Sequence, residues 1–482
     1  YDGSSRFPEA SRFGFFPSAS VAWRIDQEDF FNISSVSLFK LRASYGELGN
    51  QSVSEYGYIP FMTPAAGRYL IEGTLPQRIT PPALVSSNYS WENVSTFNFG
   101  VDLGLFEDRF GLNFDVYQRN TMGMLTLGKD LPDVLGASEP LENAADLETK
   151  GWDLGLEYRN SFSVAGKKMG FQLKGVLSDS RSFITRFDNP NGRLTQFYEG
   201  MELGEIWGFE SNGLFRNEAE IEALDQSAVI PWGALSIVPG WPKYVDQNND
   251  GKIDKGSLTV DDPGDMKIIG NFMPRLQFGV NLSLDWNGFD FSAFVQGIGK
   301  RDYYPQDYLY FGFYQQPYEG GTIHTLDYYR GADDSADQRA KHSQSYLNAG
   351  LADQHLDASF PHLQAWLADR NLGERVDQAV GLALPQTDHL LNAAYLRLKN
   401  LTLGYTIPAA ISQKVRISNI RVYVSGENLA EISGVKDYFD PEAITNAVQA
   451  RFNPAFGAGR GVGSGYAYPF QRRYAVGVHV TF

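Results

Sequence analysis

The stretch from Asn392 to Phe482 contains three alternating segments: Ala394-Tyr-Leu-Arg-Leu-Lys-Asn-Leu-Thr-Leu-Gly-Tyr-Thr-Ile-Pro408, Asn419-Ile-Arg-Val-Tyr-Val-Ser-Gly-Glu-Asn-Leu429 and Tyr474-Ala-Val-Gly-Val-His-Val-Thr-Phe482. In the last of these, Tyr474, Val476, Val478, Val480 and Phe482 are large and apolar, while Ala475, Gly477, His479 and Thr481 are small or polar. A period of two puts the two sets on opposite faces of a strand. One such strand fits a soluble sheet equally well. The recurrence of the pattern, and the spacing of the recurrences, decides the fold.

Upstream, Phe97, Phe99, Val101, Leu103 and Leu105 alternate with Asn98, Gly100, Asp102 and Gly104. A short turn at Glu107-Asp108 leads into Phe110, Leu112, Phe114 and Val116, which alternate with Gly111, Asn113 and Asp115. Leu276, Phe278, Val280, Leu282, Leu284 and Trp286 repeat the pattern against Gln277, Gly279, Asn281, Ser283 and Asp285. The Asn287-Gly288 turn that follows is a strong hairpin signal. Further alternating runs lie at about 16–25, 38–48, 151–161 and 169–180, and the total is about eleven strands. Short connections fall near 26–36, 107, 163, 287 and 410, and long ones near 49–94, 121–148, 182–271, 302–392 and 431–469. A soluble sandwich has no reason to sort its loops by length onto opposite ends, and a compact domain should not carry several long structureless loops. The spacing predicts an all-β, transmembrane antiparallel β-barrel with short periplasmic turns and long extracellular loops. The apolar set, Phe97 and Leu282 among it, should then face lipid, with Asn98, Asp102, Gln277 and Asn281 facing the lumen. The strand-like run 203–215 would break the parity, so it is assigned to an extracellular loop. Eleven strands is an odd number, and two free edges cannot sit in lipid. The expectation is that residues 1–482 are the C-terminal portion of a longer barrel, with the missing strands before Tyr1.

Composition narrows the function. The chain of 482 residues has no cysteine, which excludes disulfides and thiol-based metal or redox sites. Aromatic residues reach 14%, with 26 Tyr and 33 Phe. Mean hydropathy is −0.31 and no apolar run approaches the length of a transmembrane helix. A barrel is untouched by that exclusion, because its strands give only a weak hydropathy signal. A net charge of −16 argues against nucleic acid as a partner.

Five stretches carry a family resemblance: Phe16-Pro-Ser-Ala-Ser-Val-Ala-Trp23; Leu41-Arg-Ala-Ser-Tyr-Gly-Glu-Leu-Gly-Asn-Gln51; Tyr244-Val-Asp-Gln-Asn-Asn-Asp-Gly-Lys-Ile-Asp254; Tyr395-Leu-Arg-Leu-Lys-Asn-Leu-Thr-Leu-Gly-Tyr-Thr-Ile-Pro408; and Val424-Ser-Gly-Glu-Asn-Leu429 with Asp440-Pro-Glu442. In order and in extent they resemble the SusC/RagA family of TonB-dependent outer-membrane transporters. The resemblance implies a 22-stranded barrel around an N-terminal plug, of which this chain would supply the C-terminal half. The plug and TonB box are not in this sequence. It further implies a bacterial outer-membrane location, in contact with lipid and lipopolysaccharide. The implied activity is import of oligosaccharides first and oligopeptides second, powered by TonB with ExbB and ExbD and capped by a SusD-like surface lipoprotein. The alternative is a barrel serving as a scaffold or secretion component in a larger surface assembly.

Two stretches are candidate sites. Asp246, Asn248, Asp250 and Asp254 follow the start of a calcium loop, with hard oxygens at alternate positions and Gly251 for the sharp turn. The acid that would complete the shell is replaced by Ser257, which leaves an Asx-rich turn as the competing reading. The run Asp302–Tyr318 is dense in rings. Its Tyr303, Tyr304, Tyr308, Tyr310, Tyr314 and Tyr318 suit contact with substrate or with the lipoprotein lid, or else self-packing of the loop. His324, His342, His355, His362 and His389 fit no zinc spacing and read as solvated loop positions. Asp102, Asp115 and Asp285 read as solvating a polar lumen. No nucleophile elbow, paired-carboxylate motif or phosphate loop appears, so no catalytic residue is assigned, no cofactor is required, and an enzyme is not expected.

Overall fold

The computed structural model describes residues 1–86, 89–128, 131–136, 139–229, 237–305, 308–311, 321–331, 336–363, 384–444 and 468–482. Eleven strands form one antiparallel sheet. They are β1 (Ser18–Arg24), β2 (Val36–Asn50), β3 (Glu92–Leu105), β4 (Phe110–Leu127), β5 (Leu141–Val164) and β6 (Lys167–Arg186). Then follow β7 (Arg275–Trp286), β8 (Phe289–Lys300), β9 (Tyr395–Thr406), β10 (Asn419–Ser433) and β11 (Arg473–Thr481). Every strand pairs with its neighbours in sequence, so the sheet is an uninterrupted meander with β1 and β11 at its edges.

Local chemistry sets the tight turns. Ala165-Gly166 and Asn287-Gly288 both hold two successive left-handed residues, at φ 49° and 73° and at φ 47° and 88°. That is the primed turn whose twist matches the flanking strands. With register fixed there, the period of two carries through the sheet. Phe97, Phe99 and Val101 pair with Tyr45, Ala43 and Leu41 on one side and with Gln118, Val116 and Phe114 on the other. Leu173, Leu282, Ala293 and Leu401 follow one another across β6 to β9. The result is a belt of hydrocarbon on one face. Neither hydrophobic core among the described residues includes this belt. Phe97, Phe99, Val280, Leu403 and Val424 are exposed, as lipid-facing side chains should be.

The opposite face is polar and cross-linked. Arg42 on β2 donates from Nε and Nη2 to both Asp102 oxygens at 2.9 Å and from Nη1 to Asp115 Oδ1 at 3.0 Å. Asn113 donates to Asp102 at 2.8 Å, and Lys40 lies 3.5 Å from the same carboxylate. The flat guanidinium lies over Gly100, where a Cβ would come within 2.6 Å of Nη2. Arg421 repeats the arrangement with Asp290 over Gly404. Asp102 and Asp115 therefore lace β2, β3 and β4 together, a role beyond wetting the lumen.

The chain departs from the expected layout at one place. The long connection expected near 121–148 is mostly strand, because β4 continues to Leu127 and β5 begins at Leu141. The β5 strand has 24 residues, about 80 Å of extended chain, against the roughly 30 Å of hydrocarbon that a barrel wall crosses. Register slips between Thr121 and Leu125 hid this extension from a period-two reading. The run 203–215 lies in a loop, as expected. Glu205–Phe209 pairs with Met266–Asn271, and Ser211–Leu214 with Pro242–Tyr244, all outside the large sheet.

Leu282 sits mid-strand on the hydrocarbon face. Leu282→Arg should destabilise the inserted protein by about 2–4 kcal/mol, whereas Ser283→Arg on the polar face should be tolerated. Urea unfolding in detergent or lipid vesicles measures both, and equal costs would mean that the face assignment is wrong.

Candidate functional site

All the long connections leave the same end of the sheet, and three of them fuse. Loop 187–274 contributes Phe209, Phe215, Trp241, Tyr244 and Ile253 to one hydrophobic core. Loop 301–394 contributes Tyr304, Phe311, Phe360 and Leu384, and the loop after β10 adds Val435, Phe439 and Ile444. Each large side chain buried this way contributes about 1.5–3 kcal/mol. Backbone bonds join the loops as well. Phe209 N–H donates to the Pro385 carbonyl at 2.9 Å, and His362 N–H to the Gly240 carbonyl at 2.8 Å. The loops therefore make a packed module standing on the barrel wall.

The aromatic stretch lies largely inside that module. Tyr303, Tyr304 and Tyr310 are 2%, 1% and 4% exposed. Tyr304 donates to the Leu384 carbonyl at 2.8 Å, and the Tyr310 ring meets Phe311 edge-on at 4.9 Å. These three rings serve the self-packing reading. The Tyr308 side chain, Tyr314 and Tyr318 lie outside the described residues. The histidines are not the solvated set expected from their spacing. His389 is buried against Tyr310, Phe311 and Phe360, and His355 Nε2 lies 2.5 Å from Asp327 Oδ1. Burial, helped by the nearby His324, lowers the His389 pKa to about 4. An unfolded histidine takes up its proton near pH 6.5, so the unfolded chain binds more protons between these values. Module stability should therefore fall as pH drops from about 6.5 and level off near 4, by roughly 3 kcal/mol in total. Trp fluorescence against pH measures this; His389→Gln should flatten the slope, and an unchanged slope would refute the assignment.

The calcium-like loop is closed by its own backbone. Asp246 accepts from Asn249 N–H at 2.6 Å and Gly251 N–H at 2.8 Å. Asn248 accepts from Asp250 N–H, Asp250 from Lys252 N–H, and Asp254 from Gly256 N–H. Asn249, at φ 62°, and Gly251, at φ 80°, make the bend. Beneath it, buried Asp265 accepts from the N–H groups of Gln247 and Asp254, both at 2.8 Å. Burial raises the Asp265 pKa, and the charges of Asp246 and Asp254 add to the shift. Among the described residues, no group of three or more His, Cys, Asp or Glu is gathered for a metal.

Sequence reasoning missed the junction between wall and module. Arg397 on β9 is 2% exposed and ion-pairs with Glu431 on β10, with Asp440 at 2.8 Å and with Glu442 at 2.8 Å. Lys399 reaches Glu442 at 2.9 Å. The Phe470 ring covers both cations, 5.5 Å from Arg397 and 4.7 Å from Lys399, and its N–H donates to Asp440 at 2.8 Å. The signal was present in Tyr395-Leu-Arg-Leu-Lys399 and Asp440-Pro-Glu442, but only the fold shows that these two motifs meet. Arg397→Met would leave three carboxylates facing one another, at a cost of about 3–5 kcal/mol. Thermal melts and limited proteolysis of the segment after β10 measure it, and a change below about 1 kcal/mol would mean that water already screens the cluster.

A sequence profile described as "TonB dependent receptor-like, beta-barrel" matches residues 1–429. The chain belongs to the TonB-dependent receptor β-barrel family. Within the family it is SusC-like, and proteins of this kind reside in the bacterial outer membrane. It is 27% identical over 507 residues to TonB-dependent receptor P3 of Formosa agariphila, covering 100% of this chain and 43% of that protein. It is 24% identical over 456 residues to TonB-dependent receptor SusC of Bacteroides thetaiotaomicron, covering 92% of this chain and 39% of SusC. In fold it is similar to the structure of the RagAB peptide transporter, with a TM-score of 0.67 at 20% identity, covering 100% of this chain and 45% of that one. The chain thus spans less than half the length of the relatives it matches. Those relatives are described as receptors and transporters.

Proposed function

We propose that the protein is an outer-membrane importer of oligomeric nutrients, energised through TonB with ExbB and ExbD and capped by a SusD-like surface lipoprotein. The observation that carries this reading is the pairing of two features on one sheet. A lipid-facing belt surrounds a polar, ion-paired wall, and every long loop rises from the same end, three of them as a packed module. That arrangement suits a wall around a passage whose outer mouth needs a shaped, stable rim. On this reading the chain is the C-terminal portion of the barrel. The closing strands beyond β1 and β11, the plug and the TonB box belong to the longer protein. The RagAB neighbours, described as a peptide transporter and a peptide importer, support import, and the proposal covers oligosaccharides as well as oligopeptides.

The decisive experiment is purification of the full-length protein from outer membranes, followed by mass spectrometry of what accompanies it. The expected result is a stoichiometric lipoprotein, together with starvation for one nutrient class when the TonB box is removed. Recovery of many unrelated chains with no TonB-dependent growth defect would point instead to a scaffold or secretion role. Contact with the lipoprotein or substrate by the ring-rich loop is proposed for Tyr308, Tyr314 and Tyr318. Replacing Tyr314 and Tyr318 with Ala should lower recovery of lipoprotein or oligomer, while Tyr304→Ala should lower stability instead.

Calcium at Asp246, Asn248, Asp250 and Asp254 is likewise a proposal. Binding must compete with the backbone bonds those side chains already accept, so a dissociation constant on the order of 10⁻⁴–10⁻³ M is expected. Calorimetric titration of the purified protein checks this, and an absence of saturable heat would reduce the loop to its turn.

A further inference from the structure

A cavity of about 310 Å³ opens where the wall meets the module, lined among others by Arg397, Asn428, Lys436, Tyr438, Phe470 and Arg472. The volume is at the lower end of the range for small-ligand sites, which suits one unit of an oligomer. Its walls are held in place before any ligand arrives. Phe470 is fixed by its N–H bond to Asp440 and by the two cations beneath its ring. The Tyr438 ring meets His324 edge-on at 4.9 Å and Tyr310 at 5.3 Å. Both rings still present surface, at 52% for Phe470 and 39% for Tyr438. A binding site built from pinned groups loses little entropy when it is filled.

The polar atoms define what would fill it. Asn428 Oδ1 and Arg397 Nη1 are buried with no hydrogen-bond partner, although Nη1 lies 2.8 Å from Glu442 Oε1. Asn428 is held at φ 53°, in the left-handed region. Its orphaned oxygen is an acceptor and calls for an O–H or N–H donor. Arg397 is already matched by carboxylates, but Lys436 and Arg472 have no ion-pair partner among the described residues. These two cations stand at the cavity while most of the excess acid of the chain lies in residues 187–274 and 301–394. Glu431 and Asp440 also line the cavity, but both are paired with Arg397, so Lys436 and Arg472 are the cations left from which an anionic group would draw the charge-assisted hydrogen bonds it needs.

Resting on the import reading, we infer that this cavity is a subsite for one carboxylate-bearing unit of the transported oligomer. The carboxylate meets Lys436 and Arg472, the body of the unit lies against Phe470 and Tyr438, and an O–H or N–H donates to Asn428 Oδ1. A uronic acid residue of a glycan and an acidic residue of a peptide share this chemistry.

The test uses the full-length transporter with its lipoprotein, purified from outer membranes and immobilised. It is offered oligogalacturonates against malto-oligosaccharides, and Asp- and Glu-containing peptides against matched Asn- and Gln-containing ones, and retained oligomers are quantified by mass spectrometry. One acidic set should be held about tenfold or more above its neutral counterpart, equivalent to about 1.4 kcal/mol. The Lys436→Gln/Arg472→Gln double variant should lose that preference while keeping its lipoprotein. Equal retention of acidic and neutral sets, retention of neither, or an acidic preference that survives in the double variant would each overturn the inference. A neutral oligomer found bound to the purified wild type would overturn the subsite and leave the import reading standing. A wild type that binds no oligomer and supports no TonB-dependent growth would remove both.

Discussion

Hydrocarbon offers a peptide bond no hydrogen-bond partner, and the rest of this structure depends on that constraint. Each backbone N–H and C=O within the membrane must be satisfied by a neighbouring strand. An uninterrupted antiparallel meander meets that demand with the shortest connections, and β1 to β11 pair in strict sequence order. Having satisfied its backbone, each strand is free to vary its side chains by face. One face can be nearly pure hydrocarbon because lipid, not a second protein layer, covers it. The other face can hold Arg42, Asp102 and Asp115 because water and further protein can meet them there. Gly100 and Gly404 belong to the same economy, since a flat guanidinium lies close to the sheet only where no Cβ stands beneath it.

The membrane wall supplies no conventional core, so folding of the loops must supply its own. The module does so by pooling aromatic and aliphatic side chains from three loops that are far apart in sequence. Interiors built from large rings are tightly packed and tolerate little movement. The barrel thereby carries a shaped body at its mouth rather than a fringe of independent loops. The extension of β4, β5 and β6 beyond the membrane gives that body a broad footing, and Arg181, Glu202, Asp179 and Arg275 brace its base. At the other side of the footing, Arg397 ties β9 to the loop after β10. Wall and module are thus joined by charge and by a small apolar cluster in which Ala145 and Ile184 of the wall meet Phe197 and Met201, and the module is held within itself by apolar packing.

That division explains what could be read early and what could not. Alternation in Phe97–Leu105 or Leu276–Trp286 reports a two-faced strand directly, and its recurrence between connections of alternating length reports the membrane. Turn chemistry at Asn287-Gly288 is similarly local. The extension of β4 and β5 escaped because bulges between Thr121 and Leu125 break the period. Tyr303, Tyr304 and Tyr310 invited a surface reading because a ring-rich loop looks alike whether it binds a partner or packs on itself. His389 gave no signal at all, since its burial is set by Phe311 and Phe360, distant in sequence.

The sequence by itself determined the all-β class, the two faces of the sheet, the sorting of loops to one end and the family resemblance. The class and the two faces follow from residues within about ten positions of one another, the range over which period and turn type act, and the loop sorting and the resemblance follow from the order and spacing of such segments along the chain. Only the tertiary structure decided that three loops share one core, that Arg397 meets Glu431, Asp440 and Glu442, and that Asn428, Lys436 and Arg472 surround a cavity. Such contacts depend on where separate loops come to rest against each other. No local pattern encodes that, because the free energy that selects it belongs to the assembled interior rather than to any one segment.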